Sequence, residues 1–171
     1  MATTALQISE LVENTRATAP IGQLQLCVLL IEDSEEAMLL VRYAIDAHGN
    51  GKYRLEWAVC LSDGLSRLLK GGVDVVLLDL GLPDSSGSVS YAWVREAARD
   101  VPVVVLTGDT REETELTVFS SGVDDYLVKE QVSGPGLISA IQQAINKEAG
   151  RQYLKDHYST NSNWRPSAEL D

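Results

Sequence analysis

Five side chains along this sequence have the chemistry to receive and hold a phosphoryl group: Glu32 and Asp33, Asp79, Thr107 and Lys129. Each follows an apolar run, the runs covering residues 26–31, 73–78, 101–106 and 126–128. A carboxylate can attack phosphorus to give an acyl phosphate, which splits a difficult transfer into two steps, and Asp79 is the candidate nucleophile. Acidic groups gathered there would repel the incoming phosphoryl group, at about 4 kcal/mol for each like-charge contact near a surface. A divalent cation removes that repulsion. Mg²⁺, or Mn²⁺ in its place, takes oxygen ligands from one or two carboxylates, from waters and from the phosphate. Asp33 and Asp79 can supply the carboxylates, and Glu32 can act through a metal-bound water. Lys129 offers an ammonium on a flexible stem for the equatorial oxygens, and Thr107 a hydroxyl donor. Phosphorylation of Asp79 would draw both inward and couple a local charge change to the loops that carry them.

Side chains so far apart in sequence meet only if the elements before them lie side by side. The run from Leu24 to Ile31 predicts a first strand, and Met38, Val41 and Ile45 recur at helical spacing between Ser34 and Ala47. Tyr53, Leu55, Trp57 and Val59 alternate with polar neighbours, as in a strand open on one side. Leu61, Leu65, Leu68 and Leu69 mark a second helix, stopped by Gly71-Gly72. Residues 73–80 are nearly all apolar, the signature of a parallel strand covered on both faces. A loop with Pro83 and Gly87 leads to a helix from Ser88 to Arg99, and residues 101–106 form a fourth strand. Thr110 with Glu113 makes a capping box for a helix reaching Ser121-Gly122. Asp125 to Val128 is a short fifth strand, and Leu137, Ile138, Ile141 and Ile145 lie on a last helix ending near Ala149-Gly150.

Strands that alternate with helices imply a doubly wound parallel α/β sheet, a (βα)5 flavodoxin-like three-layer sandwich with right-handed crossovers. The half-polar second strand belongs at an edge, which gives the order 2-1-3-4-5. In such sheets the site lies at the carboxyl ends of the strands, near the switch in strand order. The reactive side chains occupy those ends.

With 171 residues, 44% apolar and 23% charged, the chain suits one domain with tails. The expected division is a flexible leader at residues 1–23, a domain at 24–149 and a mobile tail at 150–171. The net charge of −11 and the absence of a Lys/Arg patch argue against nucleic acid as a partner. Cys27 and Cys60 lack metal-ligand spacing and read as reduced, structural thiols. No apolar segment is long enough to span a membrane and no signal-peptide pattern opens the chain, so the expectation is a cytoplasmic protein with no membrane partner.

Taken singly, each site residue has a plain structural alternative. Acidic residues often cap helices, a Thr at a strand end is often a turn residue, and a lone Lys is usually solvated. Glu35 and Glu36 read as a solvated helix start. The set, at the correct ends of four strands, is what argues for a site. Tyr126 is open between packing and movement with Thr107.

The segments VLLIEDSEE, VVLLDLGLPDSSG, VVVLTGD and DDYLVKE resemble the CheY-like receiver domain of two-component response regulators, over roughly residues 24 to 149. The resemblance implies transfer from a phosphohistidine, on a sensor histidine kinase or a histidine phosphotransfer protein, to Asp79. It implies Mg²⁺ held by Asp33, Asp79 and the backbone carbonyl of Gly81, with Glu32 outer-sphere. Thr107 and Lys129 would contact the phosphoryl group, and Tyr126 would be the switch aromatic that changes rotamer. The fourth helix, fifth strand and fifth helix would form the surface for a downstream protein target or a homodimer. Where the family commonly has Pro after the Lys, this chain has Glu130, so a trans 129–130 peptide is expected.

The role expected is a phosphoacceptor switch, not an enzyme acting on other substrates, in a stand-alone receiver. A receiver module of a longer regulator or hybrid sensor kinase is the alternative. A hydrolase using an aspartyl phosphate would want a general acid two residues beyond the nucleophile, where Gly81 stands, and a substrate cap.

Overall fold

Parity along the strands decides which side chain faces which layer. The computed structural model describes residues 25–85, 87–108, 125–129 and 133–158. Along these run β1 (Leu26–Ile31), α1 (Glu35–His48), β2 (Tyr53–Ala58), α2 (Leu61–Leu68), β3 (Val75–Asp79), α3 (Gly87–Ala97), β4 (Val103–Thr107), β5 (Asp125–Val128) and α4 (Gly134–Tyr158). The strands form one parallel sheet in the order β2-β1-β3-β4-β5. The half-polar β2 is an edge strand, as its alternation predicts. The helix expected over 110–122 and the segments 1–23 and 159–171 lie outside the described residues.

Successive strand residues point to opposite faces, so a continuous apolar run feeds two cores. Cys27, Leu29 and Ile31, with Val76, Leu78, Val103 and Val105, pack on Leu61 and Leu68 of α2 and Tyr91 and Val94 of α3. Val28 and Leu30, with Val75, Leu77, Val104 and Leu106, pack on Met38, Val41 and Ile45 of α1 and Leu137, Ile141 and Ala144 of α4. The result is three layers, with α1 and α4 on one face and α2 and α3 on the other. β1 leads outward to β2, and β3 returns on its other side. The crevice between β1 and β3 is therefore the switch in strand order.

Local chemistry sets the ends of these elements. Ser34 caps α1, its Oγ accepting from the Ala37 N–H at 3.2 Å, with Glu35 and Glu36 in the first turn as their solvated helix-start reading requires. Gly71 and Gly72, at φ of 71° and 72°, end the α2 segment in a left-handed conformation that L side chains rarely adopt. β3 begins at Val75 rather than Val73. Asp74 instead turns its carboxylate to the Cys27 N–H at 2.7 Å.

The last helix differs from its expected end. It does not stop at Ala149-Gly150 but runs on to Tyr158, so the first part of the supposed tail is helical. One helical Gly costs only about 1 kcal/mol relative to Ala, too little to break a helix with support beyond it. That support is visible. Arg151 pairs with the buried Glu148 at 3.0 Å, Lys155 reaches Asp100 at 3.2 Å, and the His157 and Tyr153 rings stack at 3.9 Å.

Candidate functional site

Three carboxylates and an ammonium converge at the carboxyl end of the sheet. Glu32 and Asp33 leave β1 directly after the buried Ile31, and Asp79 is the last residue of β3. One oxygen from each of the three acids lies within 4.8 Å of the others. Lys129, following β5, places its Nζ 2.6 Å from Glu32 Oε2 and 2.9 Å from Asp79 Oδ1. Glu32 and Asp79 are buried, and Asp33 is exposed. Solvent therefore reaches the cluster at Asp33.

Glu32 is held at several points. Its Oε1 accepts from the Ser34 N–H at 3.3 Å, and its backbone carbonyl accepts from Trp57 Nε1 at 2.6 Å. Oε2 is fully buried and faces the Lys129 ammonium at 2.6 Å. Burial pushes the Glu32 carboxyl above the usual range, and the Asp79 charge adds to this against the bond from Lys129. For Lys129, burial alone would lower its pKa, but its bonds to Glu32 and Asp79 outweigh that and hold the ammonium charged. Two carboxylates sharing one cation still leave an excess of negative charge.

That excess suits a divalent ion. The donor set is all oxygen, and three carboxylates gather around a single ammonium, so the residues fit a Mg²⁺-type centre. Gly81 borders the same space. A β-carbon there would lie 3.4 Å from Asp79 Oδ2, so glycine leaves that flank of the carboxylate open.

Thr107 ends β4, opposite Val128, and Tyr126 lies on β5 opposite Val105. Their side chains, and the Lys129–Glu130 peptide, lie outside the described residues. Among the residues predicted for the site, the structure thus brings together Glu32, Asp33, Asp79, Lys129 and Gly81. It adds two that sequence reasoning missed. The alternation around Trp57 marks it only as a strand residue and does not signal its reach to the Glu32 carbonyl. Asp84 lies in the loop between Pro83 and Gly87, and its Oδ1 and Oδ2 accept from the Leu61 and Ser62 N–H groups at 3.0 and 3.1 Å. The available signal was Cys60 at the N-cap of α2, a residue that makes no capping bond there.

Residues 28–148 match the family model of the response regulator receiver domain. The chain belongs to the response regulator receiver family. This receiver is 32% identical over 123 residues to the swarming motility regulation protein RssB of Serratia marcescens, covering 72% of this chain and 54% of that protein. It is 32% identical over 102 residues to the KDP operon transcriptional regulatory protein KdpE of Escherichia coli, covering 60% and 44%. The chain spans about half the length of these curated relatives. A CheY-like receiver domain protein from Methanospirillum hungatei JF-1 shares the fold, with a TM-score of 0.63 at 17% identity over 74% of this chain and 98% of that one. A sensor protein from Polaromonas sp. JS666 does so with a TM-score of 0.63 at 23% identity, over 72% and 98%. Among the described residues of the receiver, no helix is long and apolar enough to cross a membrane.

Proposed function

We propose that this receiver accepts a phosphoryl group on Asp79 from a phosphohistidine of a sensor histidine kinase or histidine phosphotransfer protein. The single observation that carries this is the Lys129 ammonium, 2.9 Å from Asp79 Oδ1 and 2.6 Å from Glu32 Oε2 at the switch in strand order. An Asp79 oxygen attacks phosphorus, a P–O bond forms, the P–N bond breaks, and the imidazole departs with the electron pair. Lys129 lies where it can neutralise charge on the transferred group. Asp33, Asp79 and the Gly81 carbonyl would hold Mg²⁺ or Mn²⁺, with Glu32 acting through water. The bound ion supplies the positive charge that lets an anionic group approach three carboxylates.

The acyl phosphate then acts as a switch. Thr107 and Lys129 are the groups to be drawn toward the new charge, with Tyr126 following Thr107, and the altered surface selects a protein partner or a second copy. This reading makes the chain a cytoplasmic phosphoacceptor and not an enzyme acting on other substrates. The chemistry at Asp79 is the same for a stand-alone receiver and for a module of a longer regulator. The half-length match to RssB and KdpE favours weighing the second.

The test is incubation with acetyl phosphate and Mg²⁺, followed by intact mass. One base-labile phosphoryl group is expected on the wild type and none on Asp79→Asn. No gain, or an equal gain in the variant, defeats the proposal.

A further inference from the structure

The loop that follows Asp79 is fastened to a helix that takes no part in the site. α2 starts without a cap of its own: Cys60 stands at the N-cap and makes no capping bond, although the first N–H groups of a helix need acceptors. Those acceptors come from 22 and 23 residues further on. Asp84 spends both carboxylate oxygens on them, at 3.0 Å to the Leu61 N–H and 3.1 Å to the Ser62 N–H. The hydrogen bonds from Leu61 and Ser62 hold the Asp84 carboxyl below its usual range, so it stays ionised while clasped.

The same loop carries Gly81. Leu80 and Leu82 on either side of it are buried to 3% exposure, so the backbone at Gly81 is pinned by two side chains below and by Asp84 beyond. From this arrangement we infer that Asp84 is a positioning residue: by clasping α2, it sets the Gly81 backbone against Asp79 and so tunes cation affinity at the carboxylates. This rests on the receiver reading, in which the Gly81 carbonyl is a metal ligand. A simple helix cap would stabilise α2 and leave the cation site unchanged. A positioning residue changes both.

A cap supplied from α2 itself separates the two. Equilibrium dialysis against Mg²⁺ measures affinity without phosphorylation, and outer contacts that orient metal ligands are worth about tenfold or more in affinity. Asp84→Ala is expected to weaken Mg²⁺ binding about tenfold, with Asp84→Asn, which keeps one acceptor oxygen, between it and the wild type. The double variant Cys60→Asp with Asp84→Ala restores a cap to α2 without tying the loop. It is expected to stay weak for Mg²⁺. Wild-type affinity in Asp84→Ala, or its recovery in the double variant, overturns the inference while the receiver reading stands. A wild type that binds no Mg²⁺ and takes no phosphoryl group on Asp79 overturns both.

Discussion

Lys129 Nζ lies 2.6 Å from Glu32 Oε2, joining the end of β5 to a carboxylate at the end of β1 that is 1% exposed. Burying a charge is tolerable only with a partner, and here one ammonium serves two acids. The pairing ties a stability term to the reactive centre. A divalent ion entering the cluster competes with Lys129 for the same oxygens.

Lys129→Met, which keeps the length and removes the charge, should therefore destabilise the metal-free protein. Loss of one partner of a fully buried pair costs about 3–5 kcal/mol. Because the lysine side chain is 28% exposed, the expected loss is nearer about 2 kcal/mol. Mg²⁺ should bind this variant more tightly than the wild type, since a competing cation is gone. At ten times its dissociation constant it should return about 1.4 kcal/mol. Urea unfolding with EDTA and with Mg²⁺ checks both. Equal stability of variant and wild type in EDTA would show that the ion pair contributes nothing.

Much of this arrangement was legible in the sequence because the apolar runs end where chemistry begins. The residues from Val75 to Leu78 must be covered on both faces, which forces a central strand and places Asp79 at its carboxyl end. The half-polar residues from Tyr53 to Ala58 could only be an edge. Trp57 and Asp84 were not legible, since each acts on a backbone group brought near by tertiary packing: the Glu32 carbonyl and the N–H groups of α2. The reach of α4 past Gly150 was hidden for a different reason. A lone glycine looks like a stop until Lys155 and Asp100 are seen to meet.

The acid side of the stability profile should be set partly by Glu56. Arg67 of α2 hydrogen-bonds this β2 carboxylate, against a smaller opposing effect of burial, and Arg54 adds a second bond, so its pKa falls to about 2. The folded value lies below the ordinary glutamate value of 4.5, so the unfolded chain takes up the proton first as pH falls. The contribution is complete above about pH 4.5 and is lost progressively toward pH 2. Allowing for solvent screening of a partly exposed group, it amounts to about 1–2 kcal/mol. Glu56→Gln should flatten urea-denaturation stability between about pH 5 and 2 by about that amount. An unchanged slope would remove Glu56 from the account.

Two glycines should respond in opposite directions to alanine. At Gly64 of α2 the new β-carbon would collide with Ile31 Cδ1 and lie 2.8 Å from Cγ1 and 3.2 Å from Cγ2. A flexible tip could move aside, but here the whole branched side chain is in the way, and Ile31 immediately precedes Glu32. Alanine gains about 1 kcal/mol of helix propensity, and overpacking costs about 1–3 kcal/mol. The clash should win. Gly150 has nothing within 4 Å of its β-position, so Gly150→Ala keeps only the gain, up to about 1 kcal/mol. Thermal unfolding should give a lower Tm for the first and a higher one for the second; a rise for Gly64→Ala would mean that Ile31 repacks freely.

Gly81→Ala tests how water reaches the acyl phosphate. A methyl at this position would stand 3.4 Å from Asp79 Oδ2 and 3.9 Å from Oδ1, ordinary contact distances that leave the fold intact. In the acyl phosphate proposed for Asp79, hydrolysis needs a water in line with the P–O bond to be broken, on the face of phosphorus away from the carboxylate, and a methyl at Gly81 crowds the space beside that group. Entry of the phosphoryl group by transfer uses the same approach, so both rates should fall, with hydrolysis affected because an added apolar group also displaces water from the flank. A slowing of dephosphorylation by about three- to tenfold, equivalent to about 0.7–1.4 kcal/mol on the barrier, is expected. The decay of the phosphorylated species, followed by intact mass after removal of acetyl phosphate, measures it directly. A decay rate matching wild type would mean that the methyl leaves the path of the water clear, and the openness at Gly81 would then serve only the fit of the incoming donor.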